Sequence, residues 1–171
     1  MAETAIVVVV PEAASLVDGL RRRYTPDGAA GMPPHVTLLY PFLNGALLTA
    51  TTEAGIHDAA GSFAPFDVAL AATARFERPE DAVLWLRPEP REPFLALTAA
   101  LVEAFPAQQP YGGAFEEVIP HLTVAVGEPT VLDAIEAELI ARLPVRARVE
   151  EVALFQLEPG GWRRRESFPL G

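Results

Sequence analysis

Pro34-His35-Val36-Thr37-Leu38-Leu39-Tyr40 and Pro120-His121-Leu122-Thr123-Val124-Ala125-Val126 are two copies of one pattern: proline, histidine, an apolar residue, threonine, then an apolar run. Short apolar runs of this composition read as strands, each beginning at its histidine. The histidines lie 121 − 35 = 86 positions apart, close to half of the 171-residue chain, and a helical pattern follows each copy. The chain therefore reads as two related lobes, each supplying one copy. Only three histidines are present and threonine fills 10 of 171 positions, so threonine two places after both by accident is far below a one per cent event. One His-x-Thr is a weak motif; its repetition at two strand starts is specific.

Outward from the first copy, the β-branched run at 5–10 reads as a buried strand. Pro11 and Glu12 open a helix whose apolar positions Leu16, Val17, Leu20 and Tyr24 follow helical spacing. Thr25-Pro26-Asp27-Gly28 signals a turn, with loop to Pro34. A weaker helix spans 47–61, diluted by Gly55 and threonines. Phe66, Val68 and Leu70 alternate as a strand, and 83–86 is its partner across a hairpin loop at 77–81. Phe94, Leu97, Leu101 and Phe105 mark a helix, and 108–113 a loop. After the second copy, Thr130 with Asp133 reads as a capping box opening a helix with core stripe Val131, Ile135, Leu139 and Leu143, stopped by Pro144. A strand at 149–157 and a partner at 162–168 close the chain. Mixed helices and hairpins favour an α+β fold, or mixed α/β sheets, over a dinucleotide-type winding. No G-x-G-x-x-G and no P-loop is present. No linker separates independent domains, so 1–171 reads as a single two-lobed domain.

Bulk composition narrows the partners. The formal charge is −10, and all 13 basic residues are arginine. Long nucleic acid binds through many phosphate contacts, which an acidic chain disfavours; a small phosphate ligand or an RNA end needs one basic spot. The arginine triplets 21–23 and 163–165 read first as solvated faces. Cysteine is absent, which excludes disulfides and thiol chemistry. The N-terminal apolar run is too short for a signal core or a membrane span. The reading is a soluble cytoplasmic monomer without membrane association.

The paired motif has a chemical logic. Side chains alternate along a strand, so His35 and Thr37 share a face, as do His121 and Thr123, while Val36, Leu38, Leu122 and Val124 turn to the core. If the lobes face each other, two imidazoles and two hydroxyls meet in a cleft that fits a phosphate. Hydroxyls donate to non-bridging oxygens, a neutral imidazole accepts a proton, and a protonated one returns it. An imidazole titrating near pH ~6.5 supplies both forms around neutrality. No cofactor or metal is needed.

This pair of motifs resembles the 2H phosphoesterase superfamily, and most closely its bacterial branch of 2′-5′ RNA ligase-like and RNA 2′,3′-cyclic phosphodiesterase proteins. The resemblance covers essentially the whole chain, including the closing strands with Trp162 and Phe168-Pro169-Leu170. It implies a bilobal α+β fold, with two pseudo-symmetric lobes, antiparallel sheets and flanking helices around a central cleft. It implies hydrolysis of 2′,3′-cyclic or related 2′-5′ phosphodiesters of RNA ends or nucleotides. His35 and His121 would be catalytic, with Thr37 and Thr123 binding substrate phosphate.

Other candidates rank lower. His57 and Asp58 are helix neighbours that do not face each other, so His57 reads as surface. Three histidines without an H-E-x-x-H argue against zinc, and the lack of G-x-S-x-G against a serine triad. Tyr40, Phe42, Tyr111, Phe115, Phe155 and Trp162 are candidates to stack a base, and Arg75, Arg78, Arg87 and Arg164 to neutralise phosphate. Two competing functions fit the same cleft: a non-catalytic nucleotide- or phosphometabolite-binding protein, and a 2′-5′ RNA ligase.

Overall fold

The computed structural model describes residues 2–114 and 117–171. In chain order these form β1 (Thr4–Val9), α1 (Ala14–Tyr24), α2 (Pro26–Ala29), β2 (His35–Leu39), α3 (Ala50–Gly61), β3 (Phe66–Glu77), β4 (Ala82–Glu89), α4 (Glu92–Ala104), β5 (Leu122–Gly127), α5 (Pro129–Ile140), β6 (Val145–Val149), β7 (Glu151–Glu158) and β8 (Gly161–Pro169). Two four-stranded sheets result, ordered β2-β1-β7-β8 and β5-β4-β3-β6, with every pairing antiparallel. The fold is α+β.

The two lobes are not sequential halves of the chain. β1-α1-β2-α3 and β4-α4-β5-α5 are the repeated units, and each places its motif strand, β2 or β5, at a sheet edge. The strand after the first unit, β3, pairs with β4 of the second, and β7, after the second unit, pairs with β1 of the first. Neither sheet closes without a strand from the other half. The helices cross over too: α1 packs on β5, and α4 on β2.

β1 shows why the 5–10 run is uniformly apolar. Ile6 and Val8 face the main core beneath the helices, while Ala5 and Val7 face a second cluster with Met32, Ala153, Phe155 and Trp162. With both faces covered, no polar alternation is possible.

Four local readings are corrected. Thr25 is followed by a short helix rather than by loop; its hydroxyl accepts from the Gly28 N–H (3.0 Å), capping α2. Thr130 does not cap α5. Pro129 occupies the first helical position, which suits its missing N–H, and the N-cap is Glu128 with no side-chain bond. The buried stripe is Leu132, Ile135 and Leu139, with Val131 40% exposed, because helical spacing admits either neighbour. Finally, β6 joins β3 through an alternating Val145-Arg146-Ala147-Arg148-Val149, a pattern passed over beside Pro144. Among the described residues no helix is long and apolar enough to cross a membrane.

Candidate active site

The edge strands β2 and β5 lie against each other, which brings the two motif copies together. The expected alternation holds: Val36, Leu38, Leu122 and Val124 are fully buried in the core, and Thr37 and Thr123 are partly exposed on the other face. His35 and Thr37 stand opposite Val9 and Val7 of β1, so the second apolar cluster floors this side of the cleft.

The two rings are held alike. His35 Nδ1 lies 2.8 Å from the Pro33 carbonyl, and His121 Nδ1 lies 2.7 Å from the Ile119 carbonyl. A carbonyl oxygen only accepts, so each Nδ1 carries the proton and each neutral Nε2 is left an acceptor. The nearest carboxylate to His35 Nε2 is Asp27 Oδ2 at 3.8 Å, beyond hydrogen-bond length.

Their surroundings differ. His121 makes T-shaped contacts with Phe76 (4.9 Å between ring centres) and Trp85 (5.8 Å), which are themselves stacked at 4.8 Å. Burial there lowers its pKa, against the pull of the Ile119 carbonyl. His35 is 8% exposed. Burial and, after it, the charge of Arg21 push its pKa down to about 4, with Asp27 and the Pro33 carbonyl opposing.

Arg21 corrects the reading of its triplet as a solvated face. It lies one helical turn from Val17, on the buried face of α1, and is fully buried, whereas Arg22 pairs with Asp18 at the surface and Arg23 lies over Tyr24. Its Nη1 donates to the Thr123 carbonyl (2.6 Å), and its Nη2 reaches the Met32 carbonyl (3.2 Å), the Pro33 carbonyl (3.4 Å) and Asp27 Oδ2 (3.4 Å). Pro33 therefore accepts from both Arg21 and His35. One guanidinium ties the segment that holds His35 to the strand that carries Thr123. Burial would push the Asp27 carboxyl up, but Arg21, His35 and the Thr25 and Gly28 bonds outweigh it and hold it below the usual range. Gly28 is required beside this hub: a Cβ there would stand 2.4 Å from the Arg21 carbonyl oxygen.

Of the aromatic candidates, Tyr111 belongs to the site. It hydrogen-bonds the Thr37 side chain and has left-handed backbone angles (φ 52°), a conformation costing roughly 1–2 kcal/mol outside glycine. Its N–H donates to the Tyr40 carbonyl (2.5 Å). Tyr40 bonds Glu3, Phe42 packs on Phe105, and Phe155 and Trp162 are buried in the second cluster. Phe115 lies outside the described residues. Among the arginines, Arg75 is held by Asp133 and Glu136, Arg78 by Asp81 and Arg164 by Glu151, while Arg87 lies over Trp85. His57 is on the surface. Arg21, Asp27, Phe76 and Trp85 were not singled out from sequence. Only the four-residue step from Val17 to Arg21 offered a signal for the first. Among the described residues no group of three or more His, Cys, Asp or Glu is placed to hold a metal ion.

Comparison with known proteins shows what the chain as a whole is similar to. A family model described as the 2′-5′ RNA ligase superfamily matches residues 9–161. A protein of Bacillus cereus (strain G9842) named "Putative phosphoesterase" is 31% identical over 165 residues, covering 90% of this chain and 88% of that one. The crystal structure of the Thermus thermophilus protein TT0787 superposes with a TM-score of 0.66 at 22% identity, over 98% of this chain and 97% of that chain. Escherichia coli LigT complexed with 3′-AMP superposes with a TM-score of 0.59 at 19% identity, over 98% and 97%.

Two outcomes follow from the geometry. Arg21→Met strands several buried carbonyl oxygens and should lower unfolding free energy in urea by about 3 kcal/mol, whereas Arg22→Met should stay within about 0.5 kcal/mol. Equal effects would contradict the hub. The folded pKa of His35, about 4, lies below its unfolded value, so the unfolded state binds more protons between the two. The resulting stability is complete above pH ~6.5 and is lost as pH falls toward about 4, by roughly 3 kcal/mol. Stability curves across that range should be flatter for His35→Gln than for the native chain; parallel curves would contradict the shift.

Proposed function

Because the chain belongs to the 2′-5′ RNA ligase superfamily, we propose that it is a metal-independent phosphoesterase that hydrolyses 2′,3′-cyclic or related 2′-5′ phosphodiesters of RNA ends or nucleotides, by general acid/base action of His35 and His121. The observation that carries this reading is the matched pair of imidazoles, each with Nδ1 engaged by the backbone two residues earlier and Nε2 left for a substrate. The 3′-AMP held by LigT is a phosphomonoester of the kind such a reaction releases.

In this reading the Thr37 and Thr123 hydroxyls donate to non-bridging oxygens of the bound phosphate. His35 Nε2 takes a proton from water as its oxygen attacks phosphorus. His121 Nε2 gives a proton to the departing ribose oxygen, leaving a phosphomonoester and a free hydroxyl. The assignment follows from the neighbours. Arg21 opposes a second positive charge on His35, whereas His121 has aromatic neighbours and no cation beside it, so a bound phosphate anion would favour its protonated form. Tyr111 would steady the Thr37 hydroxyl from its strained turn. The substrate is a small phosphodiester or an RNA end, in a cytoplasmic, monomeric protein.

The test is hydrolysis of a 2′,3′-cyclic mononucleotide in EDTA. Turnover should persist in chelator and fall roughly 10²–10⁴-fold in His35→Ala and in His121→Ala. A p-nitrophenyl phosphodiester, whose leaving group needs no proton, should recover much of the loss in His121→Ala and little in His35→Ala. Turnover abolished by EDTA, or unaffected by both substitutions, would contradict the mechanism; binding without turnover would identify a non-catalytic nucleotide-binding protein.

A further inference from the structure

Beside His121 the face of β4 opens into a cavity of about 610 Å³. Phe76, Trp85, Ile119 and Pro120 border it, so two of its walls are the rings that touch His121 and a third is the segment whose carbonyl holds that imidazole. Trp85 pairs directly with Thr123 in the β4–β5 ladder, so it shares Thr123's face, and Arg87, two residues on, projects from that face too. Arg87 and Arg91 border the cavity and are exposed, and neither has an acidic partner among the described residues. The Arg87 guanidinium lies 5.7 Å from the Trp85 ring centre, so an aromatic face orients it without a carboxylate quenching it. Arg75 borders the cavity as well, but its guanidinium is spent on Asp133 and Glu136 of α5, and Glu89 partly offsets the remaining charge.

We propose that this cavity is a second anion subsite, in which Arg87, assisted by Arg91, binds the backbone phosphate next to the scissile one. The inference rests on the phosphoesterase reading and deepens it: the preferred substrate is the end of an RNA strand rather than a mononucleotide. A chain of charge −10 repels nucleic acid in bulk, and two guanidiniums without a paired carboxylate among the described residues, beside His121, supply a local exception for a flanking phosphate. Guanidinium suits the task because its planar fork matches two phosphate oxygens.

The experiment compares kcat/KM for a dinucleotide ending in a 2′,3′-cyclic phosphate with kcat/KM for the cyclic mononucleotide. The native protein should favour the dinucleotide by about tenfold or more, the size of one charge-assisted hydrogen bond. Arg87→Ala should reduce that ratio about tenfold and make the salt dependence of dinucleotide kcat/KM shallower by about 0.7 on a log–log plot. Arg146→Ala, on β6 and outside the cavity, should leave the ratio where it was. A native ratio near one, or a ratio that survives Arg87→Ala, would overturn the proposal. Should neither substrate turn over, the phosphoesterase reading fails. The subsite is then read from calorimetric Kd values of the corresponding 3′-phosphate dinucleotide and mononucleotide. A tenfold preference lost in Arg87→Ala supports it, and equal affinities overturn it.

Discussion

Two edge strands facing each other leave outward carbonyl groups that must be satisfied, and this requirement organises the molecule. In β5 the Thr123 carbonyl accepts from Arg21 of α1; in β2 the Leu38 carbonyl accepts from Thr98 of α4 (2.8 Å). In each case the donor is a buried polar side chain on a helix of the other repeated unit. The same two contacts tie a helix of each unit to the motif strand of the other. The motif strands are the joint, so the residues that open them are brought together by the packing itself.

The near-symmetry of the backbone does not extend to the electrostatics. Both imidazoles are bound through Nδ1 to a carbonyl two residues earlier, a local geometry that the Pro-His-x-Thr sequence repeats. Around that shared frame, His35 received a buried arginine and a nearby carboxylate, and His121 an aromatic pair. Two identical groups in different surroundings acquire different proton affinities, which is what the proposed division into acid and base requires.

Much of this could be read from sequence. The duplicated motif announced both histidines and both threonines, and strand alternation correctly placed Val36, Leu38, Leu122 and Val124 in the core. The hairpins β3–β4 and β7–β8 were legible because their turns are local. The exchange of β3 and β7 between the sheets was not, since strand partnership over such separations leaves no local pattern. Arg21 was hidden for a related reason. Composition treats an arginine triplet as surface, and only helical phase distinguishes the inward member from its two solvated neighbours. Phe76 and Trp85 carried no signal of their own; their contact with His121 exists only once β3, β4 and β5 are side by side.

Both motif histidines hold Nδ1 against a backbone carbonyl, and the proposed mechanism needs each Nε2 free to meet a phosphate. Long-range ¹H–¹⁵N correlation spectra of ¹⁵N-histidine-labelled protein at pH 8 read the tautomers directly, with the surface residue His57 as internal reference. The Nδ1–H tautomer is expected for His35 and His121, and on titration with inorganic phosphate a change in the Nε2 resonance of each while His57 stays fixed. An Nε2–H tautomer at either position, or Nε2 signals indifferent to phosphate, would contradict it.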